Sequence, residues 1–337
     1  MNRTLLLLIA VLLLGGVAWY ATSAGQAPDR VADRGNDRQF AQSDLDIVHR
    51  IFVADRKGHT VTLTRGGVTG WLADGKPANE NVLKNLLNAV SRIDVQSLPA
   101  NAAVPNMVKN LASTGILVQL YDKQDRKLRG YYIGGSTNDE RGTFAIMEAS
   151  ENPYIVHIPG WTGNIRHRFN LWDDEWRDKV YFRVDPDKVE QFSIEYPKQR
   201  DKSFRLERES NDFRLNPFYD TGQAVRKIGR GEAERILVRY EKYYVNRYEN
   251  KDLETIAQAK ELLPFAIISL KQEGQDPQTM KIYPRYTDRT LSHEPKTGQI
   301  IESSGLEAYT AFINNDEDWV LLNVETLGPL LVAYDSF

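Results

Sequence analysis

Two stretches of this 337-residue chain repeat one spacing of apolar residues, and that repeat most limits what the chain can fold into. The matching positions are Val48, Ile51 and Val53 with Val189, Phe192 and Ile194, then Val61, Leu63 and Arg65 with Phe204, Leu206 and Arg208, and lastly Trp71 with Phe213. In both halves, alternating patterns typical of strands come first, helical spacings follow, and strands return. The sequence therefore predicts an internal duplication of an α+β unit, with antiparallel sheets each packed with helices.

The repeat also sets the predicted boundaries. The first unit covers residues 45–160 and the second covers residues 187–337, and the longest predicted helix of the second runs from Glu232 to Tyr248. Residues 161–186 form a connector that is rich in tryptophan and turn residues. No long strand or helix pattern passes through it, so we expect an irregular link between two like units.

An uncharged run from Leu5 to Tyr20 follows Arg3 near the amino terminus. Residues 1–24 are either a membrane anchor, with Trp19 and Tyr20 as interfacial aromatics, or a signal peptide cleaved after Ala24. We favour the anchor, because bulky aromatic residues crowd a cleavage site. Residues 25–44 are polar and predict a tether. The expected location is the inner membrane, crossed once, with the body in the periplasm.

The composition excludes several kinds of chemistry. The chain has no cysteine, which removes disulfides, thiolate metal sites and cysteine nucleophiles. A net charge of −3 gives no reason to expect nucleic acid. The sequence shows no G-x-S-x-G, S-x-x-K or H-E-x-x-H pattern. We therefore assign no catalytic, cofactor-binding or metal-binding residue and expect no cofactor.

Three further stretches have compositions that could indicate sites. The acidic run Asn314–Asp318 predicts a hairpin turn rather than a calcium site, and Gly134–Thr137 predicts a hairpin turn rather than a phosphate loop. The basic run Arg166–Arg168 predicts a solvated face. The remaining candidates for a ligand site, or for a junction between the units, are His157, Trp161, Trp172 and Trp176. Such an aromatic cluster is more often core than ligand platform.

Several phrases of the sequence resemble a known family. They are IFVADRKGHTVTLTR, YYIGGSTNDERGTFAIME, NPYIVHIPG with WRDK after it, and AYTAFINNDEDWVLLNVETLG. Together they resemble the domain-of-unknown-function family four-three-four-zero, in its two-unit form from Bacteroidetes, over nearly the whole chain after the tether. The resemblance implies an envelope protein with one amino-terminal anchor, accessory to a transporter or gliding-type complex. It implies no catalytic residues.

Two functions follow from these observations. The first is a non-catalytic extracytoplasmic binding or scaffold protein of unknown ligand, whose partners are the inner membrane, through the amino-terminal helix, and a membrane protein complex. The alternative is an extracytoplasmic hydrolase with its site between the two units, since interdomain clefts are common ligand sites.

Overall fold

The structure is a computed structural model that describes residues 37–67, 70–171, 175–287, 290–293, 300–303 and 305–337. The chain divides into two compact units, unit 1 from Met1 to Trp172 and unit 2 from Asp173 to Phe337. This division falls inside the stretch predicted to be a connector. The described residues include no helix long and apolar enough to cross a membrane, and the anchor predicted at Leu5–Tyr20 lies outside them.

Unit 1 is built on one nine-stranded antiparallel sheet in the order β4-β3-β2-β1-β6-β7-β8-β9-β5. Its strands are β1 (Arg50–Ala54), β2 (Thr60–Arg65), β3 (Trp71–Ala73), β4 (Lys76–Pro77), β5 (Asp94–Ser97), β6 (Ile116–Tyr121), β7 (Lys127–Ser136), β8 (Thr143–Met147) and β9 (Pro153–His157). Two helices connect the halves of the sheet, α1 (Glu80–Arg92) and α2 (Val104–Thr114), and a 3-10 turn spans Arg166–Phe169. Alternate residues of the strands are buried, as in β6, so one sheet face carries the core.

Unit 2 contains a second nine-stranded antiparallel sheet, in the order β14-β13-β12-β11-β17-β18-β21-β22-β16. Two two-stranded sheets, β10-β15 and β19-β20, lie outside that order. The strands are β10 (Val180–Phe182), β11 (Val189–Glu195), β12 (Phe204–Glu209), β13 (Asp212–Pro217), β14 (Arg226–Ile228), β15 (Tyr243–Tyr244), β16 (Arg247–Tyr248), β17 (Ala266–Gln272), β18 (Gln278–Tyr286), β19 (Thr290–His293), β20 (Ile300–Ser303), β21 (Leu306–Ile313) and β22 (Asp318–Leu322). The helices are α3 (Arg230–Leu237), α4 (Leu253–Lys260) and α5 (Val324–Leu327), with 3-10 turns at Arg200–Lys202, Val238–Tyr240, Gly328–Leu330 and Tyr334–Ser336.

The two large sheets have the same strand order. Strands β1 to β4 correspond to β11 to β14, strands β6 to β9 correspond to β17, β18, β21 and β22, and the far edge strand β5 corresponds to β16. In each unit the chain therefore starts at a central strand and builds outward to one edge. After its helices and the opposite edge strand, it returns beside the strand where it began.

One side-chain arrangement also recurs in both sheets. Arg65 stacks its guanidinium 5.2 Å from the Trp71 ring centroid, and its Nε donates to the Val48 carbonyl at 2.7 Å. Arg208 stacks 4.6 Å from Phe213, and its Nε donates to the carbonyl of Val189 at 2.7 Å. Each arginine thus ties the second strand of its sheet to the start of the first.

The predicted α+β class, with sheets packed by helices, is wrong. In the residues that the structure describes, each unit is mostly antiparallel sheet, with one large sheet of nine strands. Edge strands such as Asp94–Ser97 carry polar residues without alternation, and hydrophobic patterning does not reveal them. Only the first part of the helix predicted from Glu232 to Tyr248 is helical, as α3 followed by a 3-10 turn. Its tyrosine-rich remainder forms β15 and β16, because aromatic side chains suit strands.

The prediction that Gly134–Thr137 forms a hairpin turn is also corrected. Gly134 and Gly135 lie within β7, where α2 packs on the strand. A Cβ on Gly134 would lie 2.9 Å from Leu111 Cδ2, and the Gly135 N–H donates to Asn110 Oδ1 at 2.7 Å. The glycines therefore allow close approach of the helix to the sheet.

Candidate binding site around Trp161

The residues that the sequence groups as a candidate site belong to both units and differ in exposure. His157 ends β9, half-buried and opposite Asp94 on β5, and its neighbours Val156 and Ile158 are buried. Trp161 lies in unit 1 with 44% of its surface exposed, whereas Trp176, in unit 2, is only 3% exposed. Trp172 lies outside the described residues. Only Trp161 of this group is shown as a solvent-facing aromatic ring.

A tight turn after β9 places Trp161 at the surface. The Trp161 N–H donates to the Ile158 carbonyl at 2.9 Å, and Gly160 between them has a φ of 80°. A positive φ favours glycine, because in other residues the Cβ clashes with the backbone in this conformation. Arg92, at the end of α1, donates from Nη2 to the Pro159 carbonyl at 2.8 Å. The turn is therefore held from the helix side, and the buried Ile158 anchors it to the sheet.

Arg168 supports the indole ring of Trp161. Its guanidinium carbon lies 4.6 Å from the ring centroid, and the residue is 9% exposed. Its Nη1 donates to Asn88 Oδ1 at 3.0 Å and to the Asn85 carbonyl at 3.4 Å, both on α1. The Nε–H of Arg168 is buried and has no hydrogen-bond partner among the described residues. The guanidinium is thus fixed to α1 and holds the ring by a cation–π contact.

The 3-10 turn that carries Arg168 is anchored by apolar residues on either side. Ile165 and Phe169 are fully buried, and the Ile165 N–H donates to Thr143 Oγ1 at 2.9 Å. Arg166 donates to the carbonyls of Ile133 at 3.0 Å and Thr114 at 2.6 Å, which ties the turn to the sheet and to the end of α2. The basic run Arg166–Arg168 therefore helps to hold the turn in place, whereas its sequence predicts only a solvated face.

The electrostatics of this cluster are one-sided. Burial lowers the pKa of Arg168, and the charge of Arg92 lowers it further. Burial also lowers the pKa of His167, whose ring centroid lies 6.3 Å from that of Trp161, and the Arg168 charge adds to that effect. Burial lowers the pKa of Arg166, although the negative charge of Asp55 opposes it. In the described part of the chain, Arg92, Arg166 and Arg168 donate to carbonyl and amide oxygens and form no ion pair.

This arrangement provides hydrogen-bond donors, positive charge and one accessible aromatic face. Groups of these kinds are suited to binding and orienting a ligand, and the described members of the cluster do not form a pair of nucleophile and general base. Within the described ranges, no group of three or more His, Asp or Glu side chains could hold a metal ion. We call the group formed by these side chains the Trp161 surface; it is made of Trp161, His167, Arg168, Arg92 and Asn88.

Unit 2 contains a buried ion pair whose carboxylate lies in the acidic run, and the sequence alone does not indicate it. Asp318 is 3% exposed and accepts from Arg177 Nη1 and Nη2 at 2.9 Å each, while the Arg177 guanidinium stacks 3.8 Å from the Tyr248 ring centroid. Asn250 and Asn314 donate to its two oxygens at 2.8 Å. Burial opposes ionisation of this carboxyl, but the hydrogen bonds outweigh it and lower the pKa of Asp318 to about 2. The hairpin turn predicted at Asn314–Asp318 ends at Glu317, and Asp318 opens β22.

A cavity of about 230 Å³ lies beside this ion pair. Its lining residues are Arg247, Tyr248, Glu249, Asn250, Lys251, Asp252 and Arg285. Glu249 is bonded within the cavity wall by Arg247 at 2.5 Å and by Arg285 at 3.2 Å. Asn250 faces the Asp318 cluster and also accepts the Trp319 N–H at 2.7 Å. The charges lining the cavity are therefore largely committed to holding unit 2 together.

Comparison with known proteins gives no relative: no family model, no curated protein and no solved structure matches the chain. The resemblance to the four-three-four-zero family stays a prediction.

Proposed function

We propose that this protein is a non-catalytic binding or scaffold protein, tethered to the inner membrane with its body in the periplasm, and that the Trp161 surface holds its ligand or partner. The observation that carries the proposal is the exposure of Trp161. Trp71, Trp176 and Trp319 are all at most 6% exposed, whereas Trp161 presents 44% of its surface. A fixed, exposed indole beside an arginine is a typical composition for the centre of an interface.

The support beneath Trp161 strengthens this assignment. The ring is held by a buried arginine that is itself hydrogen-bonded to α1, so it loses little further freedom when a partner covers it. Preorganised side chains bind more tightly, because the entropy of ordering them has already been lost on folding. An exposed apolar residue on a loose loop would lack this advantage.

The tether is the second part of the proposal. The uncharged run Leu5–Tyr20 and the polar residues 25–44 would hold the body close to the membrane. A place beside a transporter or gliding-type complex is consistent with that geometry, and it rests on the family resemblance. The hydrolase alternative stays a prediction.

Co-purification from detergent-solubilised membranes tests the proposal. The tagged full-length chain should capture a reproducible set of membrane proteins, and Trp161→Ala should lose them while the chain itself stays folded. Leu253→Ala is the matched control, since Leu253 is 73% exposed in unit 2 and its truncation should leave capture unchanged. Equal capture by wild type and Trp161→Ala would remove the Trp161 surface from the proposal. Recovery of the chain from the soluble cytosolic fraction would remove the tether.

A further inference from the structure

We infer that the Trp161 surface recognises an anionic group, a carboxylate or phosphate, carried on a ligand with a flat apolar face. This inference deepens the proposed binding role and rests on it. Arg92 and His167 are exposed and can donate to the anion directly. Arg168 is buried, so it contributes its charge and holds the indole ring in place.

The argument starts from the charge balance. Arg168 and His167 lie beside the Trp161 ring, Arg92 donates to the Pro159 carbonyl in the same turn, and Arg92 lies close enough to Arg168 to lower its pKa. Like charges held together are unfavourable unless an opposite charge joins them. The carboxylate nearest to Arg92 in sequence, Asp94, accepts the N–H of Val95 at 2.8 Å, and within the described residues it forms no ion pair with the cluster. Within the ranges that the structure describes, no carboxylate is therefore paired with Arg92 or Arg168.

The donors that remain also indicate an anion. Among the residues that the structure describes, Arg92 donates only through Nη2, to the Pro159 carbonyl, and its other guanidinium N–H groups can donate to a ligand. The Arg168 Nε–H is buried, so it does not reach a ligand itself, and the guanidinium charge acts on an anion through space. Guanidinium groups suit carboxylate and phosphate oxygens, with which they form charge-assisted hydrogen bonds.

The aromatic ring limits the rest of the ligand. One face of the Trp161 indole contacts Arg168, and the ring is still 44% exposed. An indole face packs well against a flat apolar surface, such as the C–H face of a sugar ring. An anionic sugar satisfies both requirements, whereas inorganic phosphate satisfies only the first.

Titration of the full-length chain in detergent tests the inference with three probes: glucuronate, inorganic phosphate and glucose, followed by tryptophan fluorescence and by the temperature of unfolding. Glucuronate should bind, glucose should bind at least about tenfold more weakly, and phosphate should fall between them. Arg92→Gln combined with His167→Gln should weaken glucuronate binding about tenfold or more, because it removes the exposed guanidinium charge and the imidazole N–H donor. Trp161→Phe should keep the rise in unfolding temperature and lose the fluorescence change.

The outcomes separate this inference from the proposed function. If neither anion binds at millimolar concentrations, or if glucose binds as well as glucuronate, the anion assignment is wrong, even where Trp161→Ala still loses its partners. Binding that survives Arg92→Gln with His167→Gln also refutes it, because the anion then lies elsewhere. Conversely, anion binding together with unchanged partner capture by Trp161→Ala supports this inference and refutes the proposed role of the surface in partner capture.

Discussion

Replacing Asp318 with asparagine should destabilise unit 2 in a way that depends on pH. The substitution keeps the shape of the side chain and removes the charge that faces Arg177. A pKa of about 2, against the ordinary value of 3.8, corresponds to about 2 kcal/mol at pH 7, since each pKa unit is about 1.4 kcal/mol. Removing one partner of a buried pair also leaves the other uncompensated, so the total loss should be about 3 kcal/mol or more.

The pH window follows from the sign of the shift. The folded state keeps Asp318 ionised at a lower pH than the unfolded state does, so the contribution is full above pH about 4 and is lost as pH falls through about 2. At pH 3 the charged term should therefore shrink from about 2 to about 1 kcal/mol. Wild type and Asp318→Asn should differ less in stability at pH 3 than at pH 7.

Urea unfolding of the full chain, followed by tryptophan fluorescence at both pH values, measures the difference, because Trp319 lies next to the substituted residue. Asp316→Asn is the matched control. Asp316 lies in the same turn, is about 40% exposed and pairs with Lys281 at 2.5 Å at the surface, where an ion pair contributes little. A loss below about 1 kcal/mol for Asp318→Asn, or a loss of equal size at pH 3 and pH 7, would refute the reasoning.

Two further stability predictions concern the glycines and the repeated arginines. Gly134→Ala should destabilise unit 1 by about 1–3 kcal/mol, because the new Cβ would lie 2.9 Å from Leu111 and must push α2 away. Gly58→Ala is the control, since Gly58 has open space around it but also a positive φ. It should lower the free energy of unfolding by about 1 kcal/mol or less in the same urea experiment. Arg65→Met and Arg208→Met should each lose about 2 kcal/mol, since each arginine donates to backbone carbonyls at the start of its sheet. Clearly unequal losses in urea unfolding would show that the two arginines do not play the same part.

The central strands could be predicted from sequence because their side chains alternate. Ile51 and Val53 in β1, and Phe192 and Ile194 in β11, are fully buried, as the spacing indicates. The edge strands could not be predicted, because β5 and β16 are short and polar and are defined by the partner strand alone. The predicted α+β class is wrong for this reason: the sequence pattern misses the edge strands, so each sheet has more strands than predicted.

The candidate site was only partly visible in the sequence. Trp161 could be named, because tryptophan in a turn-rich stretch is conspicuous. Its supports could not, since Asn88 and Arg92 lie on a helix about 70 residues earlier in the chain, and no pattern links them to the ring. The acidic run that ends at Asp318 was predicted to be a hairpin turn, and the sequence does not show that Arg177, far away in the chain, packs against that carboxylate.

The strand order also has a consequence for how such a chain reaches its final state. In unit 1, Ile51 of the central strand β1 pairs with Leu120 of β6. Every residue of α1 and α2 must be synthesised before that partner exists. Until then β1 presents an unpaired edge, which is the kind of surface that recruits other strands and leads to aggregation. The same delay occurs a second time in unit 2, where Phe192 pairs with Leu270, which is synthesised later. If the chain is exported unfolded, a periplasmic chaperone that shields strand edges should raise its yield more than one that shields exposed helices.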